Sequence, residues 1–174
     1  MSNDDSLRYP IGKHQGKENY TVEEVQVCIN RIEALPLNVE AISKSLTATQ
    51  LQMPYREGGW TALQVIHHIS DSHVNAYVRL KWTLTENIPT IKAYDESAWA
   101  KTPENTSAPA ISIELLKAVH TKWVALLRAI PTTDYGRQYF HPESKKQVRL
   151  DQAIALYAWH GEHHLAHLKI VAAK

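Results

Sequence analysis

The chain has 174 residues, 44% of them hydrophobic, and its 19 basic and 18 acidic side chains leave a formal net charge of +1. These values suit a single globular domain over residues 1–174 and exclude the strongly basic surface that nucleic-acid binding requires. No apolar run reaches the roughly 20 residues that span a bilayer, and the polar first residues lack the apolar segment of a signal peptide, so we expect a cytoplasmic protein that does not bind membranes.

The first part of the chain contains one long predicted helix. Residues 1–20 are expected to be irregular, because proline and glycine interrupt them. Apolar residues at three- and four-residue steps then predict a helix from about Val22 to Thr49, with a kink or a division into two helices at Pro36. Cys28, the only cysteine, lies in this pattern, so no internal disulfide can form and a buried thiol is expected.

A second helix is marked by the residues at its start. Residues 53–59 form a loop, after which Thr61 can cap the helix and Gln64 can return a hydrogen bond three residues later. The helical pattern continues to about Thr85, where polar residues and a proline follow. This helix carries three of the ten histidines.

The rest of the chain adds two helices and two long connections. Residues 88–109 show no clear periodicity and are longer than most loops, which suits a crossover along a bundle. A third helix is predicted over about Ser112–Ala129 and a fourth from about Asp151 to the C-terminus, with an irregular stretch or a short hairpin over 131–149 between them. The fold is therefore predicted to be all-α, a four-helix bundle with long crossover connections.

Four histidines lie on one face of the fourth predicted helix. At about 100° per residue they share a single arc with apolar side chains: His160, His163, His164 and His167. Imidazoles four residues apart can converge on one metal ion, so the pair at 160 and 164 could bind it, and so could the pair at 163 and 167. The alternative is a set of buried histidines that hydrogen bonds alone satisfy.

A third ligand must come from another helix, and the second helix supplies the candidates. His68 lies beside its apolar face and His73 within that face, so periodicity leaves both open. His67 points away from the apolar face and is expected to be exposed or to support a ligand. Three neutral imidazoles suit zinc, nickel, iron or copper, and they leave a coordination position open for water.

Several segments of the chain resemble the DinB-like superfamily and, within it, the YfiT type, a subgroup regarded as metal-dependent hydrolases. The segments that carry the resemblance are YPIG (9–12), PYR (54–56), GGWT (58–61), HHISDSH (67–73), YDESAW (94–99), HTKW (120–123), FHP (140–142) and WHGEHHLAH (159–167). Because they are spread along the sequence, the resemblance covers nearly the whole chain.

This resemblance implies a DinB-type four-helix bundle that holds one divalent metal ion through three histidines. In the family motif the first ligand follows the G-W-T tryptophan by eight residues, which is His68 here. The other two are the first histidine of the C-terminal motif and the one four residues on, His160 and His164. A homodimer and a cytoplasmic location are also implied.

Three functions are compatible with such a site. The first is hydrolysis of a small-molecule substrate by water that the metal activates, with zinc as the first choice of metal and nickel or iron as alternatives. The second, which related transferases suggest, is transfer of a low-molecular-weight thiol such as bacillithiol to an electrophile. The third is a structural metal that only cross-links two helices. Asp71, Glu57 and Asp95 are candidate general bases, although each of these carboxylates is more often found on a helix surface or at a cap.

Overall fold

Four long helices form a bundle in the computed structural model, which describes residues 3–174 and the side chains from residue 5 onward. They are α2 (Val22–Ser45), α4 (Ala62–Thr85), α6 (Ala110–Ala129) and α7 (Leu150–Ala172). The shorter elements are α1 (Asn3–Arg8), α3 (Ala48–Leu51), α5 (Glu96–Trp99), 3₁₀ turns at Pro103–Thr106 and Thr132–Gly136, and an antiparallel hairpin of β1 (Gln138–His141) and β2 (Lys146–Arg149).

The long helices do not pack in chain order. Helix α2 packs against α6 and α7, and α4 packs against the same two helices, so α2 and α4 lie diagonally across the bundle. Residues 86–109 connect α4 to α6, and the hairpin stands between α6 and α7. The predicted four-helix bundle with long crossover connections is therefore confirmed. Within residues 3–174, no helix is both long and apolar enough to cross a membrane.

Two predictions in the N-terminal part are corrected by the structure. Helix α1 occupies part of the segment 1–20 that was expected to be irregular, of which residues 1 and 2 lie outside the described chain. Helix α2 does not divide at Pro36 and ends at Ser45 instead of Thr49, while a kink at Pro36 stays a prediction. The earlier end has a local cause, since Thr47 caps α3 with a capping box of its own.

Two apolar clusters fill the bundle and leave a gap between them. On α7, the first cluster ends at Ala158 and the second begins at Leu165. On α6 the corresponding gap separates Leu116 from Trp123. The histidines that lie in or beside this gap on α4, α6 and α7 are His68, His73, His120, His160, His163 and His164. The bundle thus holds a layer of imidazoles between two apolar ends.

Candidate metal centre

Helices α4 and α7 bring three histidines together in this layer. The capping box of Thr61 and Gln64 begins α4, as predicted, and places His68 two turns into the helix. His160 and His164 project from neighbouring turns of α7. One ring nitrogen from each of the three histidines lies within 4.8 Å of the corresponding nitrogens of the other two.

The distances between these nitrogens suit a divalent cation. Nε2 of His68 lies 3.2 Å from Nε2 of His160. A tetrahedral zinc ion with Zn–N bonds of about 2.0–2.1 Å separates its ligand nitrogens by about 3.3 Å, so the observed spacing matches one edge of such a site. The ring of Trp60, at 4.6 Å from that of His68, packs against the site beside the start of α4.

Burial keeps these imidazoles neutral, as metal ligation requires. It lowers the pKa of His68 to about 4. The pKa values of His160 and His164 are held well below the usual value by burial and then by the neighbouring histidines. At neutral pH each ring therefore carries a free lone pair.

A second group of histidines shares His164 with the first. Ring nitrogens of His163, His164 and His167 also lie within 4.8 Å of one another. Trp159 stacks on His163 with ring centroids 4.6 Å apart, and Tyr55 stacks on His167 at 3.9 Å. Both pairs that the sequence left open on α7 therefore lie in groups that could hold a metal ion, but only the first group joins two helices.

The structure separates the three histidines of α4. His68 faces His160, whereas His73 is fully buried and lies behind His160, with its Nε2 3.2 Å from Nδ1 of that residue. His67 was expected to be exposed or to support a ligand, but it is only 3% exposed and its Nδ1 lies 2.7 Å from Oγ of Ser112. The prediction of exposure is wrong because α6 covers that side of α4, which periodicity within one helix cannot show.

The three candidate general bases occupy different surroundings. Asp71 is half-buried, and burial followed by the nearby Glu104 raises its pKa to about 6. Asp95 caps α5, where Oδ1 accepts a hydrogen bond of 2.9 Å from the backbone N–H of Ala98. Glu57 is exposed. Only Asp71 therefore combines a raised pKa with a position one helical turn from His68.

The family profile of the DinB superfamily matches residues 31–168, which is most of the chain. The chain belongs to the DinB superfamily. Within this superfamily it is similar to YfiT of Bacillus subtilis, with 40% identity over 164 residues that cover 94% of the chain and 92% of YfiT. Relatives from Bacillus pumilus and Bacillus cereus share 42% and 44% identity over 94% and 93% of the chain, and over 93% of their own lengths. The names of all three give metal-dependent hydrolysis as a provisional activity.

Two solved four-helix bundle structures are similar to the fold of this chain. The structure of Bacillus subtilis YfiT, described as a probable metal-dependent hydrolase with an unusual four-helix bundle topology, superposes with a TM-score of 0.93 at 39% identity and covers 97% of both chains. A second four-helix bundle protein, TT2238, superposes with a TM-score of 0.57 at 21% identity over 83% of this chain and 98% of its own, which supports the fold alone.

Proposed function

We propose that the protein is a metal-dependent hydrolase of small molecules, with one divalent cation bound by His68, His160 and His164. The observation that carries this proposal is the convergence of three neutral imidazoles from two helices, with His68 and His164 buried and His160 half-buried. Zinc is the first choice of metal. Nickel and iron are alternatives, because a set of three imidazoles does not select among these metals. The names of the relatives support the same class of activity.

The cation and the residues beside it would have separate roles in the reaction. When bound, the cation supplies Lewis acidity, which makes a water molecule nucleophilic at neutral pH. His68 and Trp60 pack against each other at the edge of the site and restrict the space around it. Asp71 is proposed as the general base, since a carboxyl group with a pKa of about 6 is largely ionised at pH 7 and can accept a proton.

Metal analysis tests the ligand assignment. Untagged protein, purified without chelator, is expected to contain about one divalent ion per chain. His68→Ala and His160→Ala should lose the metal while circular dichroism still shows the helices of the wild type. His141→Ala, which removes a hairpin histidine outside the layer, serves as the matched control and should keep the metal. Metal-free wild-type protein would contradict the proposal.

The reaction is tested separately from the metal. The loaded protein is assayed with a panel of carboxylic and phosphoric esters and amides in ¹⁸O-labelled water, and hydrolysis should place the label in the product. A parallel assay supplies bacillithiol and a generic electrophile. Metal-dependent conjugation without hydrolysis would replace the hydrolase by the thiol transferase. A structural metal would instead be indicated if His160→Ala lost its helical signal together with its metal.

A further inference from the structure

A row of imidazoles leads from the half-buried His160 of the candidate metal centre, through two buried histidines, to the backbone of α2. Nδ1 of His160 lies 3.2 Å from Nε2 of His73, and Nδ1 of His73 lies 2.9 Å from Nε2 of His120. Nδ1 of His120 then lies 2.7 Å from the carbonyl oxygen of Ile32. The row crosses the bundle from α7 through α4 and α6 to α2.

The carbonyl at the end of this row is one that its own helix leaves without a donor. In an α-helix the carbonyl of Ile32 would accept a hydrogen bond from the N–H of residue 36. Residue 36 is proline, which has no N–H, although α2 continues through it. Pro36 thus frees the acceptor that His120 uses.

A second, shorter row starts at the other α7 histidine. Nδ1 of His164 lies 3.3 Å from Nδ1 of His167, and Nε2 of His167 lies 3.2 Å from the carbonyl oxygen of Arg8. Arg8 is the last residue of α1, and the carbonyls of a final helical turn lack helical donors. Both rows therefore end on backbone carbonyls that remain available.

The carbonyl ends determine where the proton lies on every ring. A carbonyl oxygen only accepts, and a neutral imidazole has one N–H and one lone pair. His120 must donate from Nδ1 to Ile32, so its Nε2 accepts from Nδ1 of His73. Nε2 of His73 in turn accepts from Nδ1 of His160. The lone pair of His160 is thereby left on Nε2, the atom that faces His68.

The same reasoning applies to the second row. His167 donates from Nε2 to the carbonyl of Arg8, so its Nδ1 accepts a hydrogen bond from Nδ1 of His164. The lone pair of His164 is then also left on Nε2. Two independent rows give the two α7 histidines the same tautomer.

We propose that His73, His120 and His167 are positioning residues that hold His160 and His164 as Nδ1–H tautomers, with both Nε2 lone pairs presented to the metal. The inference rests on the proposed metal site, and it adds the residues that orient its ligands. An imidazole with its proton on Nε2 cannot bind a metal through that atom. Without the row of hydrogen bonds, a fraction of the molecules would carry the proton on Nε2 and could not bind the metal through it. The second histidine group then serves to orient His164, because a proton lies between His164 and His167.

Nitrogen NMR of the full chain tests the tautomers directly. The protein is labelled with ¹⁵N, stripped of metal by chelator and measured at pH 7.5. For His160 and His164, we expect Nδ1 to show the shift of a protonated ring nitrogen and Nε2 that of an unprotonated one. The opposite assignment for His160 would overturn the first row, and for His164 the second.

Substitutions test whether the rows set metal affinity, measured by chelator competition. His73→Leu should weaken metal binding by about 10–100-fold and mix the tautomers of His160. His120→Leu should weaken binding by up to about 10-fold, and His120→Gln should restore it, because the amide N–H can donate to Ile32 while its oxygen accepts from His73. His67→Leu, which removes an equally buried histidine outside both rows, is the matched control. Equal affinity in His73→Leu and wild type would overturn the proposal.

The outcomes separate this inference from the proposed function. The tautomers are read in metal-free protein, so they stand or fall without any hydrolytic activity. Two metal ions per chain, with loss of one in His163→Ala, would assign the second group as a metal site and overturn the role given to His167. If a variant fails to fold, the tautomers of the wild type still decide.

Discussion

Asp71 shows how position on a helix and burial combine at one residue. It follows His68 by one turn of α4, which places the two side chains on neighbouring parts of the helix surface. Half of the group stays in water, so the carboxyl can exchange protons, while burial and Glu104 raise its pKa to about 6. A raised pKa of this kind, one helical turn from a proposed metal ligand, is typical of acid–base groups in active sites.

Replacing this carboxyl should separate activity from folding. Asp71→Asn is expected to lower kcat/KM by about 100-fold or more and to remove the limb of the pH profile near pH 6. The raised pKa contributes stability below the unfolded value near pH 4 that is lost as the pH rises through about 6. The variant should therefore be slightly more stable than wild type at pH 8, by less than about 1 kcal/mol because water screens the half-exposed group. Unchanged kinetics would place the general base elsewhere.

At the scale of elements, the approach of α7 to α2 depends on a residue without a side chain. A Cβ at position 161 would lie 2.4 Å from Cδ2 of Leu35, which is buried. The adjacent Glu162 accepts hydrogen bonds from Arg31 of α2, one of them 2.7 Å long, and so ties the two helices together at the same level. Since His160 precedes Gly161, this contact also sets the depth of a proposed ligand.

Adding a methyl group there should strain the helix pair. Gly161→Ala is expected to destabilise the protein by about 1–3 kcal/mol through overpacking, partly offset by the better helix propensity of alanine, which is worth about 1 kcal/mol. Urea unfolding followed by circular dichroism measures the change. In the double variant with Leu35→Ala the two costs should be less than additive, because the truncated side chain makes room. A more stable Gly161→Ala would show that α2 and α7 can separate at no cost.

At the scale of the whole molecule, the imidazole layer makes the fold sensitive to acid. Burial lowers the pKa of His120 to about 4, and it holds the buried histidines of α4 and α7 below their usual value as well. These lowered histidine pKa values contribute stability to the folded state that is fully present above about pH 6.5. This stability is lost as the pH falls through about 4, because the histidines of the unfolded chain bind protons at a higher pH than those of the folded chain. The layer that suits metal binding therefore weakens the metal-free bundle in acid.

This sensitivity can be measured on one residue. Metal-free wild type should lose stability in urea between pH 7 and pH 5, with His120 alone contributing about 2 kcal/mol of the loss. His120→Gln cannot be protonated, so its stability should fall less over the same range, although it keeps a hydrogen bond to Ile32. Parallel pH dependences of the two proteins would show that His120 does not titrate as its burial implies.

Features that depend on residues close together in the chain could be predicted from the sequence. The capping box of Thr61 and Gln64 was predicted because its hydrogen bonds span only three residues. The four long helices and the histidine arc of α7 followed from periodicity, and the resemblance selected His68, whose assignment as a ligand stays a prediction. The end of α2 was predicted too far along the chain. The capping box of Thr47, which begins α3, is also a local sequence signal and could have indicated the earlier end.

Which histidines contact one another depends on how the helices pack. Periodicity places His68 beside the apolar face of its helix and His73 within that face, and it cannot tell which of them a distant helix will face. The packing of α7 and α6 against α4 puts His68 opposite His160, and it puts His73 between His160 and His120. In the same way, Pro36 was recognised as a disturbance of a helix, but the partner for the carbonyl it frees lies 88 residues away along the chain. Contacts between elements far apart in sequence carry no local signal, so the arrangement of the imidazole layer required the folded chain.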